Sequence, residues 1–210
     1  MSNIKGLVIL GFGGHARSVA DVALSIGYNS LLFIDENAKL GETFFGHQVL
    51  QKIPAVISDS WEYMPAAGDN FKRQMQTEFI NSRQKLLATI VSNNATIGLG
   101  VEISSGCFIA HHVHLGPMVV IGKGCLINTG AVVEHDCIIG EFSHLSVNST
   151  IAGKSRVGNL VLVGAGAVVI DNISVTNKVT IGAGGVVVKN IYESGTYVGL
   201  PAKLLNSRTG

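Results

Sequence analysis

The stretch CFIAHHVHLGPMVVIGKGCLINTGAVVEHDCIIGEFSHL, residues 107–145, decides the fold, because an aliphatic residue returns in it at every sixth position: Ile109, Leu115, Ile121, Ile127, Val133, Ile139 and Leu145. Carried outward in both directions, the same count runs from Ile97 to Val187, sixteen aliphatic residues without an insertion. Two residues before each stands a second, usually smaller side chain, as at Ala95, Cys107, Cys125, Ala131, Cys137 and Ser143, and Gly or Asn often follows, as at Gly98, Gly116, Asn128 and Gly140. Strands this short cannot bury a face alone, so they must stack as the walls of successive coils, inward residues sharing one core and Gly or Asn relieving the corners.

Length and composition agree with an ordered globular protein: 210 residues, 47% hydrophobic and 14% charged, suit one large or two small units with an ample core. A formal charge of +1 advertises neither a nucleic-acid surface nor an anionic-membrane patch, so neither partner is expected. The apolar start Gly6 to Leu10 is too short for a secretory segment, and no apolar run is long enough to span a membrane, so the expected location is cytoplasmic. Cys107, Cys125 and Cys137 are odd in number and lack C-x-x-C spacing. Cys107 and Cys125, eighteen residues apart, should stack about 4.8 Å apart on one wall as core filling.

Upstream of the repeat, the run Gly6 to Leu10 leads into Gly11-Phe12-Gly13-Gly14-His15-Ala16. A helical pattern through Val19, Val22, Ala23 and Ile26 follows, then a second strand, Leu31 to Ile34, that ends at Asp35-Glu36. Strand, glycine loop, helix, strand and acid match a dinucleotide fingerprint, in which backbone N–H groups and a helix N-terminus approach phosphate. Fewer than 90 residues precede the repeat, room for only half of a doubly wound domain, so a single nucleoside diphosphate fits better than a dinucleotide. The alternative is that these glycines only close a tight turn. The expected fold class is therefore mixed: a small, half-Rossmann-like α/β unit over residues 1–90, then a parallel β-helix of hexapeptide repeats with a C-terminal tail over 91–210. From Val56 to Leu87 the pattern fades, and only a bridging helix over Arg73 to Leu87 is expected there.

Five of the seven histidines fall inside the repeat. His135 sits at a corner, two residues past Val133, and its coil neighbour eighteen residues on is Gly153, which leaves a base facing a position without a side chain. Acyl transfer from a thioester needs such a base, and Asp136 or Glu134 could orient its ring. His144 lies half a coil away and should project from another side of the prism, so that cooperation with His135 would cross a subunit interface. A prism with flat, apolar faces and its active groups divided between sides favours a homotrimer. His111, His112 and His114 crowd one rung and read as a polar outer face or interface; no metal is expected.

The Gly-Gly-His loop, Asp35, the stretch from Asn128-Thr129-Gly130 to His144, and Gly199-Leu200-Pro201-Ala202-Lys203 resemble the bacterial hexapeptide-repeat sugar acetyltransferases. These include the UDP-4-amino-sugar N-acetyltransferase of bacillosamine synthesis and the sialic acid O-acetyltransferases. The resemblance implies a left-handed β-helix, with acetyl-CoA as co-substrate and a UDP-linked amino sugar as acceptor, attacked directly without an acetyl-enzyme. It implies that His135 is the base, Asp136 its orienting acid and His144 the second catalytic and coenzyme-binding histidine. The diphosphate falls at Gly11, Gly13, Gly14 and His15, uracil near Asp35 and Glu36, and coenzyme A along Gly153, Ala165 and Ala183 between subunits. Phe12 and Ala183 depart from the smaller residues common at their positions. The rival activities are O-acetylation of a sialic or similar acid and, without catalysis, nucleotide-sugar binding.

Overall fold

The computed structural model describes residues 5–205; the outermost ends of the two expected units, 1–4 and 206–210, lie outside the described residues. The architecture is the one expected, a small α/β unit followed by the left-handed hexapeptide β-helix.

The α/β unit contains β1 (Gly6–Leu10), α1 (Gly14–Ser25), β2 (Ser30–Ile34), β3 (Thr43–Phe44), β4 (His47–Leu50), β5 (Glu62–Pro65), α2 (Asn70–Ser82) and β6 (Leu86–Leu87). Its sheet runs β3-β4-β2-β1-β5-β6, parallel except for the β3-β4 hairpin. The chain leaves β1 toward β2 on one side and returns to β5 on the other, so the strand order reverses beside β1. In α/β sheets that reversal opens a crevice beyond the carboxyl ends of the strands. The loops 11–13 and 66–69 border it.

Two elements here escape the hydrophobic pattern. β5 begins just after Trp61, whose indole lies in the space a side chain at Gly6 would fill. The bridging helix starts earlier than expected, because the Asp69 carboxylate caps it by accepting the Lys72 N–H at 2.8 Å. It ends at Arg83, and Gln84, at φ 51°, turns the chain into β6. At 12 and 13 residues, neither α1 nor α2 is long enough to cross a membrane.

The β-helix has three walls. The first stacks Ile90–Val91, Phe108–Ile109, Leu126–Ile127, His144–Leu145, Leu162–Val163 and Val179–Ile181, and is extended by Gly195–Val198 and Lys203–Leu204. The second runs from Thr96–Ile97 to Val186–Val187 and the third from Glu102–Ile103 to Ser174–Val175, all partners in parallel register eighteen residues apart. The sequence reading gave corner glycines one role, and the structure divides it in two. The left-handed conformation falls on every sixth residue from Gly100 to Gly184 and is held mostly by other residues, Asp136, Phe142 and Lys154 among them. The glycines after the aliphatic position answer a different demand: a Cβ at Gly116 would stand 2.7 Å from the His135 backbone nitrogen of the next coil. The three cysteines are buried, as expected, and their thiols donate to backbone carbonyls, Cys107 to Gly122, Cys125 to Gly140 and Cys137 to Ala152. Ser143 and Ser155 make the same bond from the same repeat position.

Both units share one core. Leu7, Ile9, Val19 and Ala23 cluster with Phe108, Leu126 and the interior of the β-helix. The α/β unit thus covers the first wall, where Phe108 and Leu126, on the outward side of the strands, are fully buried.

Candidate active site

At the corner after Val132–Val133, the His135 Nδ1 lies 2.8 Å from Asp136 Oδ2, so Asp136 rather than Glu134 holds the ring. The carboxylate can only accept, which puts the proton on Nδ1 and a lone pair on Nε2. Nε2 points over Gly153, where a Cβ would stand 2.6 Å from it. Both side chains are half-exposed. A tethered, solvent-accessible base above a position with no side chain is suited to taking a proton from an incoming nucleophile.

His144 lies on a different wall, as expected, but not at a free surface. Its ring faces the α/β unit, and its Nε2 is buried without a hydrogen-bond partner. Burial lowers its pKa to about 4, with the nearby Arg73 charge adding to the effect and a backbone hydrogen bond with Gly68 opposing it. His15 is its counterpart at the start of α1: packed edge-on against Phe108 at 5.2 Å, it too has a buried, unpartnered Nε2. Burial first, then Arg73 and His144, bring its pKa down to about 3. Two neutral imidazoles therefore meet across the seam between the units.

Arg73 organises that seam, and nothing in the sequence pattern singled it out. Fully buried on α2, it donates from Nε to the Gly124 carbonyl at 2.8 Å and from Nη2 to the Phe142 carbonyl at 2.9 Å, both on the β-helix. Within its own unit it donates from Nη1 to the Ala67 carbonyl and from Nη2 to Asn70 Oδ1. Burial brings its pKa down only to about 10, so it stays charged at neutral pH. The one signal that could have found it is the Asp69 cap, which fixes Arg73 one turn inside a helix.

In the glycine loop, a Cβ at Gly13 or Gly14 would meet nothing within 4 Å, and Gly13 caps α1 without a side chain, leaving the first N–H groups of the helix open. Gly11, at φ 120°, donates to the Ile34 carbonyl at 2.7 Å. Asp35 has local work: Oδ2 accepts the Phe12 N–H at 2.9 Å and Oδ1 the Asn37 N–H at 3.0 Å, so the acid shapes the loop. Glu36 is exposed. Beneath the 66–69 loop opens a cleft of about 650 Å³, bordered by Gly68, Asn70, Leu162, Lys178 and Thr180.

Ala165 and Ala183 stack at the corner between the first and second walls, where the Gly184 N–H donates to the Ala165 carbonyl. Gly153 lies at the next corner, between the second and third. One chain does not bring the three together. Among the described residues, no three His, Cys, Asp or Glu side chains converge in a way that could hold a metal ion.

Comparison with known proteins places both units. The family model described as the PglD N-terminal domain matches residues 6–79, and that of the bacterial transferase hexapeptide, six repeats, matches residues 118–153. No curated protein sequence matches. Among solved structures, the acetyltransferase domain of PglB from Neisseria gonorrhoeae FA1090 is 28% identical with a TM-score of 0.91, over 96% of this chain and 100% of that one. A mutant of GDP-perosamine N-acetyl transferase from Caulobacter crescentus, in complex with CoA and GDP-perosamine, is 29% identical with a TM-score of 0.83, over 97% of this chain and 98% of that one. WeeI from Acinetobacter baumannii AYE, at 19% identity and a TM-score of 0.67, shares the fold. With both units matched and its neighbours aligned along nearly their whole length, the chain is an acetyltransferase built on hexapeptide repeats, similar to the bacterial sugar acetyltransferases that its sequence resembles.

Proposed function

We propose that the protein is an acetyl-CoA-dependent N-acetyltransferase that acetylates the amino group of a 4-amino-4,6-dideoxy sugar carried on a nucleoside diphosphate, with UDP as the carrier. The observation that carries this reading is His135, held by Asp136 with its free Nε2 over Gly153. The sugar amine attacks the thioester carbonyl, forming a C–N bond; Nε2 takes the amine proton, the C–S bond breaks, and the proton passes to the departing thiolate. Asp136 stabilises the imidazolium formed between the two transfers.

The similarity to enzymes solved with acetyl coenzyme A and with GDP-perosamine supports both substrates. The diphosphate binds at the open N–H groups of Gly13 and Gly14, with Gly11 and His15 completing the loop and the nucleoside lying toward Asp35 and Glu36. Coenzyme A runs along Ala165 and Ala183 of one protomer and Gly153 of another. Such a slot needs the second walls of the protomers turned inward. Four of their outward residues, Val132, Thr150, Val168 and Val186, are small and mostly apolar, with Thr96 and His114 completing the face, which suits a homotrimer.

The test is release of free thiol from acetyl-CoA in the presence of a UDP-linked 4-amino-4,6-dideoxy sugar or GDP-perosamine. Release should require the amino sugar and fall about 10²–10⁴-fold in His135→Ala. No release with either sugar, or release indifferent to the substitution, overturns the reading.

A further inference from the structure

A cavity of about 280 Å³ lies between one face of α1 and the corner after Ile109, on the side of the first wall nearest Ala165. Its floor is apolar, formed by Val22, Phe108 and Ala110, and Arg17, Asp21 and His111 stand on its rim. The volume is at the lower end of small-molecule sites, which begin near about 300 Å³, so it admits one ring and not a whole nucleotide.

Two rim residues belong to a hydrogen-bonded chain that starts in the β-helix. The Asn94 N–H donates to Ser92 Oγ at 3.0 Å, Ser92 Oγ lies 2.6 Å from His111 Nδ1, and His111 Nε2 lies 3.2 Å from Asp21 Oδ2. Because the carboxylate accepts only, the neutral ring must carry its proton on Nε2, and the buried Ser92 hydroxyl donates to Nδ1. The ring is thus fixed in one tautomer and one orientation. Asp21 is three-quarters exposed and has no further partner among the described residues, so its second oxygen remains open. Arg17 stands one turn nearer the glycine loop, its guanidinium spread over Phe12 at 4.7 Å and Phe44 at 5.8 Å.

We infer that this cavity receives the sugar ring of the nucleotide sugar, with Asp21 as the residue that reads its ring substituents and His111 holding that carboxylate in place. The inference rests on the acceptor proposed above. The apolar floor takes a C–H face of the pyranose, and the Asp21 carboxylate accepts from a hydroxyl or acylamino N–H. Arg17 meets the diphosphate at the boundary between loop and cavity. His111 and Ser92 are positioning residues, acting through Asp21.

The experiment compares the wild-type enzyme with Asp21→Asn, His111→Leu and His111→Gln, measuring KM for UDP-linked 4-amino-4,6-dideoxy sugar and for GDP-perosamine, KM for acetyl-CoA, and inhibition by free UDP and GDP. Asp21→Asn, which removes the charge of the acceptor, and His111→Leu, which removes its support, should raise KM for the amino sugar about 10–100-fold, the worth of a hydrogen bond to a charged group, with kcat, KM for acetyl-CoA and nucleotide inhibition unchanged. His111→Gln should restore most of the loss. An unchanged sugar KM overturns the inference, as does a parallel rise in sugar KM and in the free nucleotide's inhibition constant, which would mark the chain as only a strap on α1. Asp21 is exposed, so its variant reads out even if His111→Leu does not fold. Absence of turnover by the wild-type enzyme with both sugars is a separate result: it overturns the acetyl-transfer reading and this assignment with it.

Discussion

The β-helix makes the same structural decision coil after coil, whereas the α/β unit makes each of its decisions once. In the β-helix an aliphatic residue and a left-handed residue recur at fixed places in each six, and a close-approach glycine in seven of the sixteen, so no single side chain carries the fold. In the α/β unit, Asp69 alone caps α2, Asp35 alone shapes the glycine loop, and Arg73 carries three hydrogen bonds to carbonyls of the β-helix against one from Asn70. Redundancy makes the scaffold tolerant, while the seam rests on single residues, so damage should be unequal between the two.

The largest expected effect is at Arg73. Arg73→Leu leaves buried carbonyls without their charged donor, and about 3–5 kcal/mol of stability should be lost. Trp61, the single tryptophan, packs on Gly6 and reports on the α/β unit, whereas far-UV dichroism is dominated by the β-helix. The two probes should lose their coincidence during denaturant unfolding of the variant; a single shared transition would mean that the units are not held as unequally as described.

Gly153→Ala sharpens the comparison from the other side. The new methyl group would meet the His135 ring, which is half-exposed and free to turn away, so the scaffold should keep its stability within about 1 kcal/mol. Displacing the base by about 1 Å should cost about 10²-fold in kcat, close to 2.7 kcal/mol. Full activity would show that the open space over Gly153 is not where the base works.

The smallest effect is the proton linkage of the seam. His144 and His15 are held at about 4 and about 3 in the folded chain against 6.5 when unfolded. The unfolded state therefore takes up protons first, and the stability these rings confer is complete above pH 6.5 and lost as the pH falls toward those values. Each ring contributes a slope of about 1.4 kcal/mol per pH unit at most. Urea unfolding between about pH 7 and pH 5 should show a shallower decline for His144→Phe than for the wild type; equal declines would place the proton uptake elsewhere.

What the sequence disclosed follows the same division. The walls, their register, the burial of the cysteines and the approach of His135 to Gly153 were all legible, because a period of six fixes every neighbour eighteen residues away. Asp136 beside His135 was legible as one of two acids, and the structure chose between them. The burial of His144, its nearness to His15 and the reach of Arg73 were not, because each depends on how an aperiodic unit docks, and docking leaves no periodic trace. His111 read as a polar face and proved to be tied to Asp21, ninety residues away, by the same docking.

The stacking of coils in register also makes chain length a quantised variable. Removing eighteen residues from the walls deletes one storey and leaves every face assignment intact. Removing six keeps the aliphatic rhythm, and with it a foldable core, but turns everything downstream by one corner, so that His135 would occupy the edge now held by Thr129. One residue more or less would invert inside and outside at once. Related chains of this architecture should therefore differ in whole storeys or in excursions at corners, with the storey count between the docked unit and His135 held fixed.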